Sequence, residues 1–120
     1  MAHYKNYTDI EQSKKLAYIL SLDSSDGWWT ALNWQETEYY IEVKQDGINK
    51  PKKYIPCWSF TALFNILPDG TDIMKDKTDT ENEKYMCSVG VKGEVLYTFG
   101  SNPIDVCYEM VLRLHELKML

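Results

Sequence analysis

The stretch NPIDVCYEMVLRLHEL, residues 102–117, decides the fold of this chain. Asn102 can cap a helix because its side-chain oxygen accepts an unpaired N–H of the first turn, and Pro103 suits the first helical position. Apolar residues recur at helical spacing on one side, namely Ile104, Cys107, Met110, Val111, Leu114 and Leu117. Charged residues lie opposite, namely Asp105, Glu109, Arg113 and Glu116. This pattern predicts an amphipathic C-terminal helix docked on a core.

Size and composition indicate one globular domain that spans residues 1–120. Hydrophobic residues make up 44% of the chain and charged residues 26%, which is ordinary for a soluble protein. The formal net charge of −5 disfavours nucleic acid as a partner, because phosphate recognition needs a basic surface. The N-terminus lacks an apolar signal core, and no segment approaches ~18 consecutive apolar residues. We therefore expect a cytoplasmic protein without a membrane anchor.

The first half of the chain predicts a helix followed by strands. Thr8 and Glu11 form a T-x-x-E capping box, and the helix that they begin should end near Ser21. Residues 1–6 before it read as a disordered tail. Aromatic and β-branched residues alternate over 28–34 and 39–43, which predicts two strands joined by a hairpin about residues 35–37, or one long bulged strand.

The second half predicts a buried helix, a hairpin and the terminal helix. The run WSFTALFNIL at 58–67 is apolar on nearly all sides and ends at Pro68-Asp69-Gly70. Residues 71–84 are polar and read as a mobile loop or an exposed hairpin tip. Alternation over 85–91 and 95–99, with a turn at Lys92-Gly93, predicts a β-hairpin. The predicted fold class is α+β, with an antiparallel sheet of about four strands and three helices packed on it: N-terminal, central and C-terminal.

Cys57 is the one candidate nucleophile. The segment Cys57-Trp58-Ser59-Phe60-Thr61-Ala62 resembles the segment around the nucleophile of papain-like cysteine peptidases, where a cysteine followed by tryptophan begins a helix. A helix N-terminus lowers the pKa of a thiol, and His115 is a candidate base. However, the glycines and the glutamine of that motif are absent upstream, the chain is too short for a papain-like fold, and His115 lies on a helix. A cysteine hydrolase therefore stays an alternative.

The sequence predicts no metal site, disulfide or cofactor. The three cysteines, Cys57, Cys87 and Cys107, are odd in number and none are spaced as C-x-x-C. The two histidines, His3 and His115, fall on different elements. Four aspartates crowd one segment, but their spacing misses the pattern of a calcium loop; they are Asp69, Asp72, Asp76 and Asp79.

Aromatic residues cluster in the first hairpin and suggest a binding surface, namely Trp28, Trp29, Trp34, Tyr39 and Tyr40. If Trp28, Trp34 and Tyr39 point inward, Trp29 and Tyr40 point outward, where they suit a protein interface. The alternative is that both faces of the sheet are covered. A further alternative is a weak nucleic-acid binder that uses the nearby lysines Lys44, Lys50, Lys52 and Lys53.

Three blocks of the chain carry a resemblance to a family of small uncharacterised proteins of gut Bacteroides-type genomes and their phages or mobile elements. The blocks are IEQSKKLA at 10–17, PCWSF at 56–60 with Leu63 and Ile66-Leu67-Pro68, and NPIDVC at 102–107 continuing to Leu114-His115-Glu116. The resemblance implies a phage-like setting and a bacterial cytoplasm, and it brings no catalytic residues. We expect a non-enzymatic protein-interaction module of phage or mobile-element type.

Overall fold

The computed structural model describes residues 5–44, 53–76 and 84–120. The α+β class is confirmed, with helices and antiparallel strands alternating in groups along the chain. The elements are α1 Ile10–Ala17, β1 Gly27–Ala31, β2 Tyr39–Val43, β3 Tyr54–Cys57, α2 Phe60–Ile66, β4 Asp72–Asp76, β5 Lys84–Val91, β6 Glu94–Gly100 and α3 Pro103–Glu116.

The described strands form two three-stranded sheets, not one sheet of about four strands. The first sheet has the order β2-β1-β3 and the second has the order β4-β5-β6. Strand β3 was not predicted from the sequence. It contains Pro56, and its place at the sheet edge tolerates a residue without an N–H. Strand β4 occupies 72–76, inside the segment predicted as a mobile loop or an exposed hairpin tip, and it pairs antiparallel with β5, as in a hairpin. Residues 77–83 of that segment lie outside the described residues.

The C-terminal helix is confirmed. The Asn102 side chain accepts a hydrogen bond from the Asp105 N–H at 2.9 Å, and Pro103 is the first helical residue. The predicted apolar side is buried except for Leu117, which lies past the end of the helix and is half exposed. This helix packs against β5, β6 and α2, so the main core lies between the inner face of the second sheet and the three helices.

Both other helices begin at residues that differ from the prediction. In α1 the cap is Asp9, whose carboxylate accepts from the Gln12 N–H at 2.8 Å while the Gln12 side chain accepts from the Asp9 N–H at 3.1 Å. Thr8 is instead buried, and its hydroxyl accepts from the Trp58 N–H at 3.1 Å. The central helix begins two residues later than predicted, because Ser59 caps it by accepting from the Ala62 N–H.

Asp105 joins the N-terminal segment to α3. Its carboxylate accepts hydrogen bonds from Lys5 Nζ at 2.9 Å, from Gln12 Nε2 at 2.9 Å and from Asn102 Nδ2 at 2.8 Å. Lys5 was predicted to lie in a disordered tail, but its side chain is hydrogen-bonded to Gln12 and Asp105. Residues 1–4 lie outside the described residues. Burial acts to raise the pKa of Asp105, but these hydrogen bonds and the Lys5 charge outweigh it and lower the pKa.

Replacing Asp105 with asparagine should lower the free energy of unfolding at pH 7 by about 1.5–3 kcal/mol, the range for hydrogen bonds to a charged group. A carboxylate with a depressed pKa in the folded state stabilises the fold fully above its unfolded value, here 3.8, and loses that contribution as the pH falls through the folded value. The deficit of the variant should therefore shrink below that pH. Urea denaturation across the pH range measures it, with Glu109→Gln as the exposed control on the same helix.

Candidate interaction surfaces

The register of the first hairpin places Trp29 and Tyr40 on opposite faces of the first sheet. Trp29 lies opposite Ile41, whereas Tyr40 lies opposite Thr30, and directly opposed residues share a face. Trp28 therefore lies on the side of Tyr40. The predicted grouping of Trp29 with Tyr40 is wrong, because the connection at 32–38 sets a register that alternation alone does not give.

The Trp29 face is covered by the N-terminal segment. The Trp29 indole N–H donates to the Thr8 carbonyl at 2.9 Å, and the ring is partly buried. Beside it, a Cβ on Gly27 would stand 2.9 Å from Cys57 Sγ and 3.0 Å from Tyr7 Cε1, so the segment packs closely on the sheet. Trp29 thus links β1 to the N-terminal segment within the fold.

The opposite face carries Trp28, Tyr40 and Tyr54. The Trp28 and Tyr54 rings meet edge to face with centroids 4.7 Å apart, and Lys44 Nζ lies 4.3 Å from the Trp28 centroid. Tyr40 is 39% exposed, and its hydroxyl donates to the Glu42 carboxylate, which raises the pKa of Tyr40. The buried Thr30 hydroxyl has no hydrogen-bond partner among the described residues. On this face, then, the Trp28 and Tyr54 rings pack against each other, and Tyr40 is the most exposed of the three.

Trp34 lies in the loop between β1 and β2 and is 90% exposed, so it does not share an inward face with Trp28. Strand β1 ends at Ala31, before the alternation reaches Trp34. Lys53 Nζ lies 5.8 Å from the Trp34 centroid and pairs with Glu36 at 3.2 Å. Among the predicted lysines, Lys44 donates to the Leu22 carbonyl and Lys50 and Lys52 lie outside the described residues.

Cys57 and His115, the candidate catalytic pair, occupy very different surroundings. Cys57 ends β3 and is fully buried, whereas His115 is exposed near the end of α3. Burial, and then the nearby Asp26 charge, raise the pKa of the Cys57 thiol to about 12, against an ordinary 9.0. A nucleophilic cysteine needs the opposite shift. Cys57 comes before the helix cap Ser59, and its Sγ lies close to Gly27 of β1.

The other two thiols are buried together in the main core. Cys87 of β5 and Cys107 of α3 are fully buried and hydrogen-bonded to each other. This hydrogen bond and burial raise the pKa of Cys107. Within the described residues, no three His, Cys, Asp or Glu side chains are grouped to hold a metal ion; of the four crowded aspartates, Asp79 lies outside that part.

Two shallow pockets combine charges of both signs. One of about 290 Å³ lies between α1 and the β1–β2 loop, and the Lys53–Glu36 ion pair stands at its wall. The other, of about 470 Å³, lies between α1 and α3 and is lined by Lys15 and Arg113 beside Glu109 and Glu116. Opposite charges balance in the second pocket, whereas the first also has Lys14 in its wall and so carries one more cation than anions.

The outward face of the second sheet exposes several large apolar side chains. Its side chains come from all three strands, and we call them the outer sheet face: Asp72, Met74, Met86, Ser88, Gly90, Val95, Tyr97 and Phe99. Phe99 is 62% exposed, Met74 56%, Val95 52% and Tyr97 46%. The register joins them across the sheet, because Met74 lies opposite Met86 and Met86 lies opposite Phe99.

The sequence pattern missed this surface. The alternation of Val95, Tyr97 and Phe99 predicts a strand of the hairpin, but it does not show which side of that strand the helices cover. In fact Leu96 and Thr98 face the core, and the Thr98 hydroxyl donates to the Val106 carbonyl of α3 at 2.7 Å. A signal was present: Thr98 and Cys87 are small enough for a helix to pack closely upon them, whereas Tyr97 and Phe99 are not.

No protein-family model, curated protein or solved structure matches this chain. Within residues 5–44, 53–76 and 84–120, no helix is both long enough and apolar enough to cross a lipid bilayer.

Proposed function

We propose that this chain is a non-enzymatic protein-interaction module that binds its partner through the outer sheet face. The observation that carries the proposal is the exposure of Met74, Val95, Tyr97 and Phe99 on one continuous surface. Each leaves about half of its surface in water, so together they expose roughly 400 Å² of apolar area. Patches of this size on a single chain are commonly functional.

The types of side chain support a protein partner. Tyrosine and phenylalanine give large contact areas at small entropic cost, and aromatic residues are enriched at interface hot spots. Methionine is unbranched and adapts to the shape of a partner. The outer sheet face takes over the role that the sequence gave to Trp29 and Tyr40, since Trp29 is engaged within the fold.

The phage-like setting and the bacterial cytoplasm stay predictions that rest on the resemblance in the three helical blocks. The hydrolase alternative has little support, because its thiol is buried with a raised pKa. The nucleic-acid alternative is weakened because Lys44 and Lys53 already have partners within the chain.

Affinity capture with a double variant tests the proposal. We expect Tyr97→Ser/Phe99→Ser to recover specific partners from a Bacteroides-type lysate at least about tenfold less well than the wild type, as for loss of two hot-spot residues. Both side chains are exposed, so the melting temperature should change little.

The matched control is Tyr18→Ser/Leu32→Ser, which removes two exposed apolar side chains elsewhere. It should recover partners like the wild type. A further arm, Tyr40→Ala, tests the surface that the sequence favoured. Equal recovery by the wild type and Tyr97→Ser/Phe99→Ser would contradict the proposal.

A further inference from the structure

Two of the three thiols form a pair that the proposed function leaves unused. Cys87 lies on β5, the central strand of the second sheet, and Cys107 lies on α3, which packs against that strand. Both are fully buried in the main core, and their side chains are hydrogen-bonded to each other. The two sulfur atoms therefore face each other across the interface between the strand and the helix.

The contacts around the pair hold the two backbones close at this point. Cys87 lies directly opposite Thr98 of β6, and the Thr98 hydroxyl donates at 2.7 Å to the carbonyl of Val106, the residue before Cys107. A Cβ added at Gly100 would stand 3.1 Å from Val106 Cγ1, so the helix lies close to the sheet here. A disulfide bond needs such an approach, because its sulfur atoms are about 2.0 Å apart and its Cβ atoms about 4 Å apart.

Cys57, the third thiol, lies apart from this pair. It ends β3 of the first sheet, beside Gly27, whereas Cys87 and Cys107 both belong to the main core. Burial and the charge of Asp26 raise the pKa of Cys57, whereas the pKa values of Cys87 and Cys107 are shifted by each other. The odd number of cysteines thus divides into one pair and one separate thiol.

A small oxidant can approach the pair from the pocket between α1 and α3. Thr98, the residue opposite Cys87, lines that pocket together with Tyr108, the residue after Cys107. The pocket measures about 470 Å³, and Thr98 is 7% exposed. The two thiols are therefore neighbours of residues that water and solutes of similar size, such as hydrogen peroxide, can reach.

The hydrogen bond between the thiols gives them different roles in oxidation. It lowers the pKa of Cys87 and raises that of Cys107, so Cys87 is the better nucleophile. The Cys87 thiolate attacks one peroxide oxygen, the O–O bond breaks, and the released hydroxide leaves as water with the proton that the thiol gave up. The Cys107 sulfur then attacks the Cys87 sulfenic acid, the S–O bond breaks, and a second water leaves with the Cys107 proton. The two thiols are oxidised to a disulfide, and peroxide is reduced to water.

We propose that Cys87 and Cys107 form a peroxide-sensitive modification site whose disulfide bond joins α3 to the central strand of the second sheet. The site is independent of the outer sheet face, because Cys87 lies on the opposite side of β5 from Met86 and Ser88. The bond closes a loop of about 20 residues. It should therefore raise the melting temperature by at least about 5 °C, and dithiothreitol should reverse the rise.

Peptide mapping of the native chain after peroxide treatment tests the proposal. Trypsin places the cysteines in separate peptides, namely 54–75 with Cys57, 85–92 with Cys87 and 93–113 with Cys107. We expect the last two peptides to be disulfide-linked, and Cys57 to stay free for N-ethylmaleimide after denaturation. The linkage is read on peptides and not on the intact mass, because the exposed Met74 also reacts with peroxide.

Single alanine variants separate the roles of the two thiols. In Cys107→Ala, dimedone should trap a sulfenic acid at Cys87, and no linked peptide should form. In Cys87→Ala, trapping at Cys107 should be at least about tenfold weaker, since a thiol with a raised pKa is less often ionised. Cys57→Ala is the matched control and should give the same linkage as the wild type. If an alanine variant of the pair does not fold, the wild-type peptide map still decides.

The proposal fails on any of three results for the wild-type chain. The first is that peptides 85–92 and 93–113 stay unlinked when Met74 is fully oxidised. The second is a linkage that joins Cys57 or a second copy of the chain in comparable yield, as all three pairings should do in guanidinium chloride. The third is a linked chain that melts at a lower temperature than the reduced one, because a bond that fits the folded pair stabilises it.

Discussion

Replacing Trp58 with alanine should lower the free energy of unfolding by about 3–5 kcal/mol, the cost of removing a large buried aromatic side chain. Trp58 is 0% exposed and is the largest of the fully buried side chains. Its indole N–H also donates to the Ser24 hydroxyl at 3.0 Å, and its main chain exchanges hydrogen bonds with Thr8. The cavity would open where the N-terminal segment, the 3₁₀ turn at Leu22–Ser24 and α2 meet.

Urea denaturation followed by circular dichroism measures this loss, with Trp34→Ala as the matched control. Trp34 is 90% exposed and should cost less than about 0.5 kcal/mol when replaced. If Trp58→Ala does not fold, Trp58→Phe keeps most of the ring and should still cost about 1–3 kcal/mol, through lost volume and the lost hydrogen bond to Ser24. Equal costs for the alanine variants at 58 and 34 would show that Trp58 does not organise the core.

Local signals in the sequence predicted the helices better than the strands. The signals for α3 are local: a cap at Asn102, Pro103 at the first helical position, and one apolar side. The pattern therefore predicted the start and the buried side of that helix correctly. At α1 two capping boxes overlap, T-x-x-E at Thr8 and D-x-x-Q at Asp9, and the structure uses the second. Thr8 does not cap the helix, because its hydroxyl accepts a hydrogen bond from the N–H of Trp58, which lies 50 residues further along the chain.

Strands β3 and β4 were missed because their stability comes from neighbours. Tyr54–Cys57 contains a proline and pairs only because β1 offers an edge. Asp72–Asp76 is polar, and it becomes a strand by pairing with β5, where Met74 meets Met86. Alternation shows which residues share a face, but whether a helix covers that face depends on tertiary packing. For this reason the sequence did not predict the outer sheet face and placed the candidate binding surface on the first hairpin instead.

Cys57 in the folded chain should react with a thiol reagent at pH 8 at least about a thousandfold more slowly than a small model thiol such as glutathione. Only the thiolate reacts, and raising the pKa from 9.0 to about 12 lowers its fraction at that pH by about a thousandfold. Full burial slows the reaction further, because the reagent must wait for the structure to open. Labelling with N-ethylmaleimide, followed by peptide mass spectrometry, separates Cys57 from Cys87 and Cys107.

The same measurement separates a structural thiol from a catalytic one. In guanidinium chloride all three cysteines should react at the rate of the model thiol, and in Trp58→Ala the reaction of Cys57 should be faster than in the wild type, since the unfolded fraction is larger. Rapid labelling of Cys57 in a chain that retains its native circular dichroism would mean an accessible thiolate. That outcome would restore the cysteine-hydrolase alternative, because a reactive thiol at the end of β3 has no use in a module that works only through the outer sheet face.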